Sequence, residues 1–157
     1  MTPLMLQDKL VSELEKLFEG RYLKNEDGAV ASFLICPQWL PATDPNVSGQ
    51  AGITYFPYIR VIVDDGQDEN EEEPNTCNVR FEIGIQDEDT NYQGHRDLLN
   101  AIGTIYNHFM RYKYVGPFEL VYPFKWSLNP ENTFPKFFAM VETTWNIPKV
   151  TIVDPLT

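Results

Sequence analysis

From Cys77 to Gln86 the chain alternates without a break. Cys77, Val79, Phe81, Ile83 and Ile85 are apolar, and Asn78, Arg80, Glu82, Gly84 and Gln86 between them are polar or small. A period of two belongs to a β-strand with one face buried and the other wet. No other stretch constrains the fold as tightly, because a slip of one residue turns every apolar side chain to water. Upstream, Tyr58-Ile59-Arg60-Val61-Ile62-Val63 is β-branched and nearly all apolar, which reads as a strand buried on both faces. Between the two lie residues 64–75, where seven of twelve side chains are carboxylates: Asp64, Asp65, Asp68, Glu69, Glu71, Glu72 and Glu73. Such a segment stays in water. The pattern predicts a long hairpin with an acidic loop, docked on a helix that starts near Gln93.

The flanking segments supply the rest of a fold. Leu6, Leu10, Leu14 and Leu17 form one stripe, widened by Val11 and Phe18, and predict a helix over residues 5–19. Thr2-Pro3 suits its start and Gly20 its stop. Residues 21–28 read as polar connection and 29–36 as a first strand. A second helix is predicted over residues 93–112, with Leu98, Ile102, Ile105 and Phe109 in register. Acidic residues precede it, and Arg111 and Lys113 end it, both favourable to the helix dipole. Phe118 to Leu128 and Phe137 to Ile147 then alternate as a second hairpin. Pro123 removes a backbone donor and places the first of these strands at an edge or a bulge. Strands and helices do not alternate as in βαβ repeats. The expected class is α+β, one domain over 1–157, with a mostly antiparallel sheet of about five strands and two helices packed on one face.

Residues 37–57 break the pattern, with Pro37, Pro41, Pro45 and Pro57, two glycines and an Asn46-Val47-Ser48 turn. An irregular loop of this length is uncommon inside a compact domain and is usually functional or mobile. Trp39 and Leu40 lie in it, and two readings stay open: they cover the core, or they bury against another subunit. Apolar side chains left over on the second sheet face, among them Val121, Phe138 and Met140, point to oligomerisation.

Charge is concentrated rather than spread. The net charge is −11, and residues 64–89 hold eleven carboxylates against Arg80 alone. That surface repels phosphate backbones and lacks the basic footprint of nucleic-acid binding. It suits a solvated loop, a basic protein partner, or a passage through which a polyanion slides. There is neither a basic leader with an apolar run nor an apolar stretch of membrane-spanning length, so no membrane partner is expected. Cys36 and Cys77 sit in apolar runs and read as buried reduced thiols in a reducing cytoplasm, with a single disulfide between them as the alternative.

Motifs that carry chemistry are missing. His95 and His108 stand thirteen residues apart on one predicted helix, and Cys-x-x-Cys and His-x-x-x-His pairs are absent, so no zinc site is expected. The acidic loop lacks the spacing of an EF-hand. A glycine-rich phosphate cradle and a Gly-x-Ser-x-Gly elbow are also missing. The carboxylates stand in a wet cluster rather than in a pKa-shifting pocket. The expectation is no enzyme, no catalytic residue, no cofactor and no metal.

Several strings carry a resemblance. They are Phe56-Pro57-Tyr58-Ile59-Arg60-Val61-Ile62, Val79-Arg80-Phe81-Glu82-Ile83-Gly84, Gln93-Gly94-His95-Arg96-Asp97-Leu98-Leu99-Asn100, Pro123-Phe124-Lys125-Trp126-Ser127-Leu128 and Glu142-Thr143-Thr144-Trp145-Asn146-Ile147-Pro148. With the order of elements over residues 5–148, they resemble small head–tail proteins of tailed phages and prophages, the tail terminator family in particular. The resemblance implies a subunit that assembles with itself as a ring, with hexamers expected. The ring stops the tail tube and meets a head connector protein, first in the host cytoplasm and then in the virion tail. It implies no catalytic residues. Two other readings stand beside it: a different connector or tail-completion component, and an acidic protein-binding inhibitor or DNA mimic. The candidate lumen or mating surface is Asp64, Asp65, Asp68, Glu69, Glu71, Glu72, Glu73, Trp39 and Leu40.

Overall fold

The structure is a computed structural model that describes residues 1–42, 54–91, 93–150 and 153–156. Helix α1 spans Pro3–Leu17. The Thr2 hydroxyl caps it by accepting from the Met5 amide at 3.2 Å, and Pro3 opens the first turn. Its stripe of Leu6, Leu10 and Leu14 is fully buried. Gly20, at φ +79°, lets the chain turn away in the left-handed region.

Two short strands follow, β1 (Tyr22–Lys24) and β2 (Val30–Ser32), paired antiparallel as a separate ribbon. The Asn25 side chain closes the turn between them by accepting from the Asp27 and Ala29 amides. The main sheet is built from β3 (Leu34–Pro37), β4 (Tyr58–Gln67), β5 (Asn75–Gln86), β6 (Tyr114–Val115), β7 (Phe118–Leu128) and β8 (Lys136–Ile147). Helix α2 (Gly94–Arg111) lies between β5 and β6 in sequence. The strand order is β3-β4-β5-β8-β7-β6. Only β3 and β4 run parallel.

The alternation at Cys77–Ile85 is real. Cys77, Val79, Phe81, Ile83 and Ile85 are each at most 1% exposed and join Leu6, Leu10, Leu14, Leu98, Ile105 and Phe109 in one core cluster. Burying each large side chain contributes roughly 1.5–3 kcal/mol relative to leaving it in water. Phe109 stacks on Phe81 at 6.0 Å and meets Trp145 edge-on at 5.5 Å. Thr143 is buried there without strain. Its Oγ1 donates to the Val79 carbonyl at 2.7 Å and accepts from Trp145 Nε1 at 2.9 Å. Gln7 is likewise buried, and its Nε2 donates to the Val61 carbonyl at 2.9 Å, pinning α1 to β4.

The α+β class and the mostly antiparallel pairing are as expected, but two features of the sheet are not. It has six strands rather than about five, and it is mixed. The predicted first strand over residues 29–36 splits at Phe33. Its first half joins the ribbon and its second half becomes β3, whose parallel pairing with β4 depends on a partner far along the chain. The predicted acidic loop is also shorter than residues 64–75. The ladder between β4 and β5 runs on through Gly66↔Cys77 and Gln67↔Thr76, with a bulge between Val63 and Asp65. Asp64 and Asp65 are therefore strand residues, because backbone pairing outweighs their poor strand propensity. Pro123 does sit at a register shift, between Val121 and Lys125. The Asn46-Val47-Ser48 turn lies outside the described residues.

Candidate assembly surface

The carboxylates singled out from the sequence fall into two groups along one hairpin. Asp64 and Asp65 stand at its base. Asp64 Oδ2 lies 2.5 Å from Arg80 Nε, and Asp65 Oδ1 accepts from Asn78 Nδ2 at 2.6 Å. The hydrogen bond to Asp64 raises the Arg80 pKa further above its ordinary value. Asp68, Glu69, Glu71, Glu72 and Glu73 form the tip and are all exposed. The tip has local order. Asn70 Oδ1 accepts from the amides of Glu72 and Glu73 at 2.9 and 2.8 Å. Lys149 then reaches from beyond β8 to Asp68 at 2.7 Å and also donates to the Asn70 carbonyl.

Trp39 belongs to a different place. It is 72% exposed, and the Arg60 guanidinium lies 5.1 Å from its ring centroid. Arg60 Nε also donates to the Gln38 carbonyl at 2.8 Å. These contacts hold Trp39 beside β4, well short of the acidic tip. Leu40 is half-buried. The structure thus brings the tip carboxylates together and places Trp39 and Leu40 separately from them.

Arg60 sits in a polar row across β4 and β5. Its Nη1 lies 2.6 Å from Glu82 Oε2, and Tyr58 Oη donates to Glu82 Oε1 at 2.5 Å. Burial, and then the bond to Glu82, push the Tyr58 phenol well above its ordinary value. The Phe56 ring meets Tyr58 at 5.1 Å and Phe138 at 6.0 Å. Gly84 makes room for this group, since a Cβ there would overlap the Tyr58 and Phe56 rings. A groove of about 360 Å³ lies further along this face, between Asp64, Arg80, Lys125 and Glu142.

The sequence reading missed a second exposed strip. Tyr114, Tyr122 and Trp126, on β6 and β7, are 64%, 69% and 52% exposed. Lys113 Nζ lies 4.5 Å from the Tyr122 ring centroid, and Tyr106 meets Phe124 at 5.3 Å. Tyr122 and Trp126 continue the alternation of the buried Phe118 and Leu120. The ladder carries two extra β7 residues between Val121 and Lys125, which keeps Trp126 opposite buried Val141, yet only the two-residue β6 lies beyond β7 and both rings stay largely in water.

Among the described residues, no group of three or more His, Cys, Asp or Glu side chains is placed to hold a metal ion. His108 Nε2 is paired with Glu13 Oε1 at 2.7 Å, a tie between the helices. Cys36 and Cys77 are both buried and free. Among the described residues no helix is long and apolar enough to cross a membrane. No protein-family model matches the chain, and no curated protein is significantly similar to it.

Proposed function

We propose that this chain is a structural subunit that joins copies of itself into a ring at the head-proximal end of a phage tail, ending the tail tube and meeting the head connector. One observation carries the reading. A ladder-stiffened hairpin holds five tip carboxylates in solvent, away from the core and braced by Lys149. In a ring around a DNA conduit such a tip presents negative charge to the duplex, so phosphates are repelled and do not stick. In this reading both helices lie on one side of the sheet and the other side, with Trp39, meets neighbouring subunits. The exposed aromatics of β6 and β7 suit the same use, because tyrosine and tryptophan are enriched at protein interfaces. The chain acts as no enzyme in this proposal.

The test is complementation in a phage or prophage that carries the gene. Deleting residues 68–74 is expected to leave a folded protein by circular dichroism and to block joining of heads and tails. Overlong tails in particles lacking the protein support a terminator, whereas filled heads with separate tails of normal length support another connector role. Wild-type titre from the deleted gene overturns the proposal. The acidic tip also favours one second reading, a mimic of DNA that occupies a basic protein. A stable monomer that inhibits a DNA-handling enzyme, with no defect in particles, selects that reading.

A further inference from the structure

Four charged side chains stand in one row across the helix-free face of the sheet. Arg80 on β5 lies opposite Glu142 on β8, and Glu142 lies opposite Lys125 on β7. At the other end of the row Asp64, in the β4 bulge, lies 2.5 Å from Arg80 Nε. The adjacent Val79, Phe81 and Val141 turn the other way, into the core shared with both helices. The order across the strands is therefore acid, base, acid, base. Its two halves differ. Asp64 and Arg80 are engaged with each other. Glu142 and Lys125 are exposed and directly opposed, yet neither makes an ion pair among the described residues. The groove of about 360 Å³ on this face is lined by all four side chains.

The order of signs narrows the partner. A simple cation or anion meets equal numbers of both charges and gains no net attraction. A surface that carries the same four charges in reverse order matches at every position. The row of a second copy is such a surface when it is turned about a twofold axis that runs along the strands. That rotation sets Lys125 over Asp64 of the other copy and Glu142 over Arg80 of the other copy. A twofold axis across the strands sets each charge on its own kind instead. At a net charge of −11 two copies repel as wholes, so contact favours a face whose own charges cancel, as these four do. Salt near 0.15 M screens the more distant charges beyond about 8 Å. Val121, Phe138 and Met140 lie half-buried on the same face and add apolar area beside the row.

We infer that the helix-free face binds a second copy of this chain through a twofold contact, with the charged row of each copy laid in reverse on the row of the other. The free Glu142 and Lys125 of each copy then complete two four-charge clusters with the Arg80–Asp64 pair of the other. A twofold contact closes at two copies and does not grow. In the ring this face meets ring neighbours, so the pair is a resting form that parts before assembly; that consequence alone rests on the ring reading.

The test is sedimentation equilibrium of the purified full-length protein over a concentration series, at about 0.05 M and about 1 M salt, where the screening length falls from above about 10 Å to about 3 Å. Masses of one and two chains are expected, with pairing weakened about tenfold or more at the higher salt. Lys125→Glu sets a carboxylate against Asp64 of the other copy and is expected to weaken pairing about tenfold or more at low salt. Asp64→Lys does the same from the opposite side. A mixture of the two variants is expected to pair again, because each altered charge then meets its opposite. Circular dichroism checks that both variants fold, and the Lys125→Glu arm decides by itself where Asp64→Lys does not. Four results overturn the inference: one-chain mass at low salt up to about 1 mM, pairing indifferent to salt and to Lys125→Glu, growth past two chains that Lys125→Glu abolishes, or a mixture of folded variants that stays unpaired. Ring failure is read from particles and pair failure from the centrifuge, so the two are told apart.

Discussion

Arg60 and Glu82 face each other across the β4–β5 ladder, with Arg60 Nη1 2.6 Å from Glu82 Oε2 and both side chains largely shielded from water. The pair differs from Arg80–Asp64, which is more open to solvent. Glu82→Gln strands a shielded guanidinium and also weakens the acceptor of the Tyr58 hydroxyl, so a loss of about 1–3 kcal/mol is expected. Asp64→Asn, at the exposed pair, is expected to cost under about 1 kcal/mol. Urea unfolding of the two variants side by side checks the contrast. Equal losses contradict it.

Stability is expected to fall on the alkaline side. Burial lifts the Cys36 and Cys77 thiols above their ordinary 9.0, and burial with the Glu82 bond lifts Tyr58 far above its ordinary 10.0. All three stay protonated in the folded chain where the unfolded chain has lost those protons. Their contribution is complete below pH 9, begins to fall for the thiols above 9 and for Tyr58 above 10, at up to about 1.4 kcal/mol per pH unit per group. Urea midpoints measured from pH 7 to 11 give the profile. Tyr58→Phe is expected to remove the steeper part above pH 10.

Thr143 carries two buried hydrogen bonds at once, to the Val79 carbonyl and from Trp145 Nε1. Thr143→Val keeps the shape and orphans both partners. A loss of about 2–6 kcal/mol is expected, the sum of two unsatisfied groups at about 1–3 kcal/mol each. Thr144→Val, whose hydroxyl donates to Asn78 on the exposed face, serves as the control and is expected to be near neutral. Thermal unfolding of both variants is the measurement.

Trp39 is expected to matter to assembly more than to folding. Its ring touches Arg60 but stays largely in water. Trp39→Ala is expected to change unfolding free energy by under about 1 kcal/mol, the range of an exposed cation–π contact. In the proposed ring it is expected to shift self-association, followed by light scattering over a concentration series. An unchanged association curve removes Trp39 from the interface.

Much of this fold was legible because its strongest elements are periodic. Cys77–Gln86 and the stripes through Leu6–Leu14 and Leu98–Phe109 declare their buried faces by spacing alone. The hidden parts lack that signal. Tyr22–Lys24 and Val30–Ser32 are too short to show a period, and their pairing rests on the Asn25 turn. The parallel partner of Leu34–Pro37 lies more than twenty residues ahead, so no local pattern announces it. Asp64 and Asp65 read as loop by propensity alone, and the ladder that overrides it is set by Asn78 and Cys77 across the hairpin. The acidic tip was legible as a solvent-exposed unit. The exposed aromatics of β6 and β7 were not, because their exposure depends on where β7 falls in the strand order.

The long pairing of β5 with β8 has a consequence for how the chain is made. Twelve residue pairs join strands more than sixty positions apart at Asn75↔Ile147, and contacts this remote in sequence slow folding through the entropy of closing the intervening chain. Because β8 follows β5 by some fifty residues even at the near end of the ladder, Gln86↔Lys136, that edge of β5 has no partner until β8 has been synthesised. Charged side chains on a bare strand discourage stray pairing with other chains, and β5 carries Arg80 and Glu82 within its own length.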